Sequence, residues 1–176
     1  VRRDELNAIK ASTYGTGMLM QAALEAGAKR MIVGIGGSAT TDGGSGCLQA
    51  LGVRLLDANG NLLPTGADAL AQVTQVDFRG LDSRWQQVEV ILAADVENPA
   101  VGPSGAAAIY GPQKGASPAD VDFLDRVLTH FFGVIAAQTG KDLRNVPGGG
   151  AAGALAAGLM TCLPARIQSG ADLILD

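Results

Sequence analysis

From Tyr14 to Glu25 the text YGTGMLMQAALE places Met18, Leu19, Ala22 and Ala23 on one helical face, with Gly27 set to stop it, and predicts a helix. RMIVGI follows, short and rich in β-branched residues, and predicts a buried strand. Past a glycine-rich loop, Cys47, Leu48 and Leu51 form a second helical stripe that Gly52 ends. VRLLDANGNLL then carries two apolar arms around Asp57-Ala58-Asn59-Gly60 and predicts a hairpin, because Asn-Gly tolerates positive φ. VEVILAADVE reads as a strand running into a polar loop.

The clearest helix opens at Ser117-Pro118-Ala119-Asp120, which offers an N-cap, proline at the first helical position and an acid at the third. Val121, Leu124, Leu128, Phe131 and Ile135 continue it to Gly140. GGGAAGALAAGLMTCL predicts a small-residue helix behind Gly148 to Gly150, and the final GADLILD reads as a strand entering its sheet. With no internal repeat and no charged linker, residues 1–176 parse as a single α/β unit. The chain begins at Val1 without methionine and ends in that apolar run, so a segment of a larger protein is expected.

Composition narrows the chemistry. A hydrophobic fraction of 47% over 176 residues supports a folded globule with a sizeable core. Thirteen basic against seventeen acidic residues give a net charge of −4 with no basic run, which argues against nucleic acid and anionic membranes as partners. No apolar segment approaches the about 20 residues needed to span a bilayer, and VRRDELNAIK lacks a signal-peptide core, so a cytoplasmic protein is expected. Cys47 and Cys162 read as buried reduced thiols, and His130, the single histidine, as structural.

The densest chemistry lies in GIGGSATTDGGSG. Glycines let a backbone approach a ligand closely, and a helix N-terminus favours an anion. Gly34, Gly36 and Ala39 match a dinucleotide-type GxGxxA, with Asp57 near the distance of a ribose-binding acid. Two features oppose that nicotinamide reading: the next strand runs into the Asn-Gly turn instead of a crossover, and Asp42-Gly43-Gly44 would break the required helix. No GK[ST] follows, so it is not a Walker loop. What remains is a phosphate cradle of Gly36, Gly37, Ser38, Thr40, Thr41, Asp42, Gly43 and Gly44. Asp42 is a candidate Mg²⁺ ligand or general base; the alternative is that it caps the following helix. Asp95 and Asn98 stand just past a strand end, where open α/β sheets place ligands. Lys114, on a loop between Gly111 and Gly115, is a candidate to neutralise phosphoryl charge.

Three blocks, GIGGSATTDGGSGCLQALGVRLLDANG, AADVENPAVGPSGAAAIYGPQKGAS and VPGGGAAGALAAGL, resemble in order and spacing the signature blocks of the bacterial glycerate kinase type 1 family, and KASTYGTGMLMQAAL resembles its helix start. The resemblance covers essentially the whole chain. It implies transfer of the ATP γ-phosphoryl group to D-glycerate, with 2-phosphoglycerate the favoured product and Mg²⁺ accompanying ATP. It also implies a mixed α/β fold of two domains, one flavodoxin-like and the other inserted into it, with the active site in the cleft. This chain would be chiefly the central, inserted part of a chain about twice as long, and its activity alone is left open, as is a homodimer. The alternative is a structural or ligand-binding fragment without turnover. The resemblance carries over Gly36, Gly37, Ser38, Thr40, Asp42, Gly43 and Gly44 as the substrate or phosphate cradle, with Asp95, Asn98, Gln113 and Lys114 as cleft residues. Where the family has Asn before this aspartate the chain has Thr41, expected to keep a hydrogen-bonding group.

Overall fold

A computed structural model describes residues 6–175. In chain order the elements are α1 (Tyr14–Glu25), β1 (Arg30–Gly34), α2 (Ser45–Ala50), β2 (Arg54–Leu56), β3 (Gln75–Asp77), β4 (Glu89–Ala93), α3 (Ala106–Tyr110), α4 (Pro118–Thr139), α5 (Ala151–Met160), β5 (Ala165–Gln168) and α6 (Gly170–Leu175). β1, β4 and β5 form a parallel sheet with β4 at its centre, Met31 level with Val90 and Val90 level with Ala165. β2 and β3 make a separate antiparallel pair. Because the three-stranded sheet is parallel, the carboxyl ends of all its strands lie along one edge, and the candidate site is built there.

Val90, Ile91 and Leu92 of the central strand are wholly buried. Two apolar clusters share the interior. One gathers Met20, Leu24, Trp85, Val90 and Leu159 between the sheet, α1 and α5. The other gathers Leu55, Leu70, Val76 and the α4 side chains Leu124, Leu128, Phe131 and Ile135. α2 and α5 belong to both, with Leu48 and Ala157 in one and Cys47 and Leu159 in the other. That explains the alanine and glycine content of α5: a helix packed on two sides leaves no room for long side chains. α1 closes on α2 at Gly17, where a Cβ would stand 2.5 Å from the Cys47 carbonyl oxygen.

Helix starts follow the sequence closely. Ser117 Oγ accepts the Asp120 N–H at 3.2 Å while the Asp120 carboxylate accepts the Ser117 N–H at 2.9 Å, a reciprocal cap worth about 1 kcal/mol. The strands diverge from expectation in three places. Among the described residues β1 is the edge of the sheet with Ile32 57% exposed, where its β-branched text suggests a buried strand. The Asp57 turn forms, with Asp57 Oδ1 accepting the N–H groups of Asn59 and Asn61, but it closes only a single Leu56–Leu62 bridge; the ladder partner of β2 is the distant β3. GADLILD is helical through Leu175 and not a strand, because Ser169 and Asp95 cap its first N–H groups; β5 lies just before it, and Asp176 is outside the described residues. His130 is structural: its Nε2 lies 2.7 Å from the Val73 carbonyl oxygen.

Candidate functional site

The loop after β1 divides in two. Gly36 and Gly37 are exposed, and a Cβ at either would meet nothing within 4 Å, so their backbone faces open space. The N–H groups of Gly36, Gly37 and Ser38 meet no acceptor among the described residues. From Thr41 to Leu48 every residue is buried. The second half is a packing device. Gly43 N–H donates to the Gly153 carbonyl at 3.0 Å, and a Cβ at Gly153, whose φ is +69°, would fall 2.1 Å from the Thr40 carbonyl oxygen. Ala152, Gly153 and Ala154 form a left-handed turn inside α5, with φ of 53°, 69° and 67°. Non-glycine residues in that region are strained, and the close backbone contact with the loop holds them there.

Asp42 lies at the centre of this packed half and is fully buried. Its Oδ2 accepts the Thr13 N–H at 2.8 Å, the Thr13 hydroxyl at 2.9 Å and the Gly46 N–H at 3.3 Å; its Oδ1 accepts the Gly44 N–H at 3.1 Å. The Thr13 hydroxyl in turn accepts the Cys47 N–H at 2.9 Å. The carboxylate thereby ties the start of α1 to the start of α2. Burial pushes its carboxyl above the usual range, and the donors from Thr13, Gly46 and Gly44 oppose the shift. Both of its oxygens are occupied by protein donors, among them the Gly46 N–H in the first turn of α2, the contact that the capping alternative describes for Asp42, beside its candidacy as metal ligand or base. Thr41 Oγ1 is buried with no partner among the described residues, so its hydroxyl does not replace a hydrogen-bonding amide.

Lys114 is where the exposed half of the loop acquires a charge. It ends a 3-10 turn, Pro112–Lys114, between α3 and α4. Only 3% of it is exposed, and its Nζ donates to the Thr40 carbonyl at 2.6 Å. Burial lowers its pKa to about 8, against the opposing pull of the Asp42 carboxylate. A cavity of about 160 Å³ opens beside it, lined by Gly36, Gly37, Ser38, Gln113 and Lys114 together with Ile35, Val96, Tyr110 and Ala152. A second space of about 380 Å³ adjoins through Gly37, Ser38, Gln113 and Lys114 and reaches Ala39 and Leu6. Amides without an acceptor among the described residues, beside a buried ammonium, are groups of the kind that bind anions.

The other expected residues divide around this cavity. Gln113, Gly36, Gly37 and Ser38 converge on it, whereas Gly43 and Gly44 are turned into the packing, and Thr40 contributes its carbonyl. Asn98 braces the wall: its amide donates to the Ser104 carbonyl at 2.9 Å and its Oδ1 accepts the Tyr110 hydroxyl at 2.6 Å. Asp95 lies across Val96, in a space shared with Glu97, Gly148 and Ser169. Its Oδ1 accepts the Ser169 hydroxyl and the Gly170 N–H, and its Oδ2 has no protein donor among the described residues. Tyr110, Ile35, Val96 and Ala152 were not legible as site residues; only the spacing of Tyr110 from Gln113, three positions on, hints at a shared wall.

The described lining supplies no ligand set for a protein-held magnesium ion. Among the described residues no carboxylate lines the Lys114 cavity, and no group of three or more His, Cys, Asp or Glu is able to hold a metal. Nor is the site a dinucleotide fold: α2 starts only at Ser45, β2 leaves the parallel sheet, and Asp57 is engaged with Asn61 in its own turn.

The model of the glycerate kinase family matches residues 1–176, the whole chain. The chain belongs to that family. It is 47% identical over 176 residues to a glycerate kinase of Halalkalibacterium halodurans, covering 100% of this chain and 46% of that protein. Against the glycerate 2-kinase of Escherichia coli it is 47% identical over 163 residues, 93% of this chain and 43% of that one. A crystal structure from Salmonella typhimurium LT2, provisionally named glycerate kinase 2, superposes with a TM-score of 0.96 at 41% identity, over 100% of this chain and 47% of that one. The chain thus spans about half the length of the curated glycerate kinases it matches. The mixed α/β fold with its parallel sheet is that of the family. Among the described residues no helix is long and apolar enough to cross a membrane.

Proposed function

We propose that the protein is an ATP-dependent kinase of D-glycerate, with 2-phosphoglycerate its favoured product, and that this chain supplies the anion-binding part of the site. The observation that carries the reading is that Lys114 lines one cavity with Gly36, Gly37 and Ser38, whose amides meet no acceptor among the described residues, in a chain matched end to end by glycerate kinases. In the transfer a glycerate hydroxyl oxygen bonds to the γ-phosphorus, the bond from that phosphorus to the β–γ bridging oxygen breaks, and ADP leaves. The hydroxyl proton passes to a carboxylate. Of the two candidates, Asp95 takes that role, since among the described residues one of its oxygens has no protein donor whereas both oxygens of Asp42 have one. Lys114 stabilises charge on the transferring group, since phosphoryl transfer asks a protein mainly for positioning and electrostatics. A cytoplasmic setting in carbohydrate catabolism accords with this chemistry.

A ³¹P NMR time course with Mg·ATP and D-glycerate tests the reading on the complete gene product. A growing phosphomonoester signal is expected, its proton coupling separating the 2- from the 3-phosphate. No signal from the complete gene product overturns it. Turnover there but none from residues 1–176 alone makes this chain a ligand-binding portion of the enzyme.

A further inference from the structure

The left-handed turn inside α5 carries strain that glycine would relieve. Ala152 and Ala154 hold φ of 53° and 67°, a region where alanine is strained and glycine is at ease, in a segment already rich in glycine. At the middle position space itself requires glycine: a Cβ on Gly153 would stand 2.1 Å from the Thr40 carbonyl oxygen and 2.7 Å from the Thr41 Cα. The Gly153 carbonyl accepts the Gly43 N–H at 3.0 Å, so the turn grips the loop on both sides of Thr41 and Asp42. Thr40 is thereby held at its backbone, and among the described residues its carbonyl oxygen is the acceptor of the Lys114 Nζ, at 2.6 Å. One peptide group therefore links the strained turn to the buried ammonium. What alanine supplies at the flanking positions is a narrow left-handed basin, whereas glycine ranges over both hands.

Resting on the role given to Lys114 above, we propose that the turn Ala152–Ala154 positions Lys114: Gly153 sets the Thr40 carbonyl against the ammonium, and the two alanines hold the turn in one conformation. All three act through Thr40 and are positioning residues. Were the turn free to move, Thr40 would shift and the ammonium would exchange this carbonyl for water. Burial holds the Lys114 pKa at about 8, and hydration would return it toward the usual lysine range. Asp42, the charged group that opposes this lowering, is held apart from the turn by Thr13, Gly44 and Gly46.

Ala154→Gly and the double variant Ala152→Gly/Ala154→Gly loosen the turn while its φ values stay favourable, so both are expected to fold. Ala154 lines neither space beside Lys114, so its variant leaves those walls as they are. The complete gene product, labelled with ¹³C at lysine Cε, reports the titration of Lys114, whose NMR signal is the one lost in Lys114→Arg. The wild-type midpoint is expected at about 8. In both glycine variants it should rise by at least about half a pH unit, and kcat with D-glycerate should fall at least about fivefold while KM stays within about threefold. Ala156→Gly, in the right-handed part of the same helix, is the control: it should lower the melting temperature and leave the midpoint and kcat as in the wild type. A midpoint that stays or falls in the glycine variants overturns the proposal, as does an equal response from Ala156→Gly, which would reduce the effect to lost stability. A response confined to the double variant would make the Ala152 methyl a piece of cavity wall and overturns it as well. If the wild type forms phosphoglycerate and its midpoint matches those of the variants, the positioning role fails alone. If the midpoints move as expected but the wild type forms no phosphoester, the kinase reading fails and the positioning of the ammonium stands.

Discussion

Replacing Asp42 by asparagine separates a structural carboxylate from a catalytic one. Asparagine keeps one acceptor oxygen and turns the other position into a donor. In its better orientation the amide nitrogen takes the place of Oδ1, so the Gly44 N–H loses its acceptor while Oδ2 still serves Thr13 and Gly46. A stranded buried donor costs about 1–3 kcal/mol, and removing the buried charge gives some of it back, leaving a net loss of about 1–2 kcal/mol. Alanine strands the N–H groups of Thr13, Gly44 and Gly46 and the Thr13 hydroxyl, and is expected to cost about 3–5 kcal/mol. At about 2–4 °C per kcal/mol the asparagine variant should melt about 2–8 °C lower, with alanine lower still. The native carboxyl binds its proton more tightly than the unfolded one, whose pKa is 3.8, so wild-type stability falls as pH rises through the raised native value; the asparagine variant lacks this component. Denaturant unfolding supplies the stabilities, and turnover is read well below the melting temperature. Per folded molecule, kcat should stay within about threefold, under 1 kcal/mol of barrier. An unchanged melting temperature with kcat down more than about a hundredfold would refute the structural role.

Three further outcomes follow from the same geometry. Lys114 carries its charge below a pKa of about 8, so kcat/KM for the acid should fall about tenfold per pH unit above that value, and Lys114→Arg should remove the break; a profile flat to pH 10 would exclude a charged Lys114 from binding. Gly153→Ala places a Cβ 2.1 Å from the Thr40 oxygen at a φ of +69°, and should cost at least about 2 kcal/mol in denaturant unfolding, whereas Gly36→Ala should be neutral within about 0.5 kcal/mol. With its thiol pushed up to about 12 by burial, Cys47 should resist alkylation at pH 8 until the chain unfolds; labelling at the rate of a free thiol peptide would contradict its burial.

Local rules in the sequence determined the elements that depend on near neighbours. α1 and the capped start of α4 were legible because helical periodicity, the Ser117–Asp120 pair and Gly140 act within a few residues. The loop Gly36 to Gly44 and Lys114 could be picked out as chemically unusual text, and the family resemblance joined them. Tertiary structure alone decided which half of that loop opens to a cavity and which is clamped onto α5. Both halves are written in the same small residues, and the difference arises from contacts at Gly153 and Thr13, far along the chain. For the same reason the ladder partner of β2 is the distant β3, with its own hairpin arm joined by a single bridge: strand pairing depends on what arrives from elsewhere. Asp42 reads as reactive in sequence because a carboxylate among glycines resembles a ligand set. Only the folded chain surrounds it with donors.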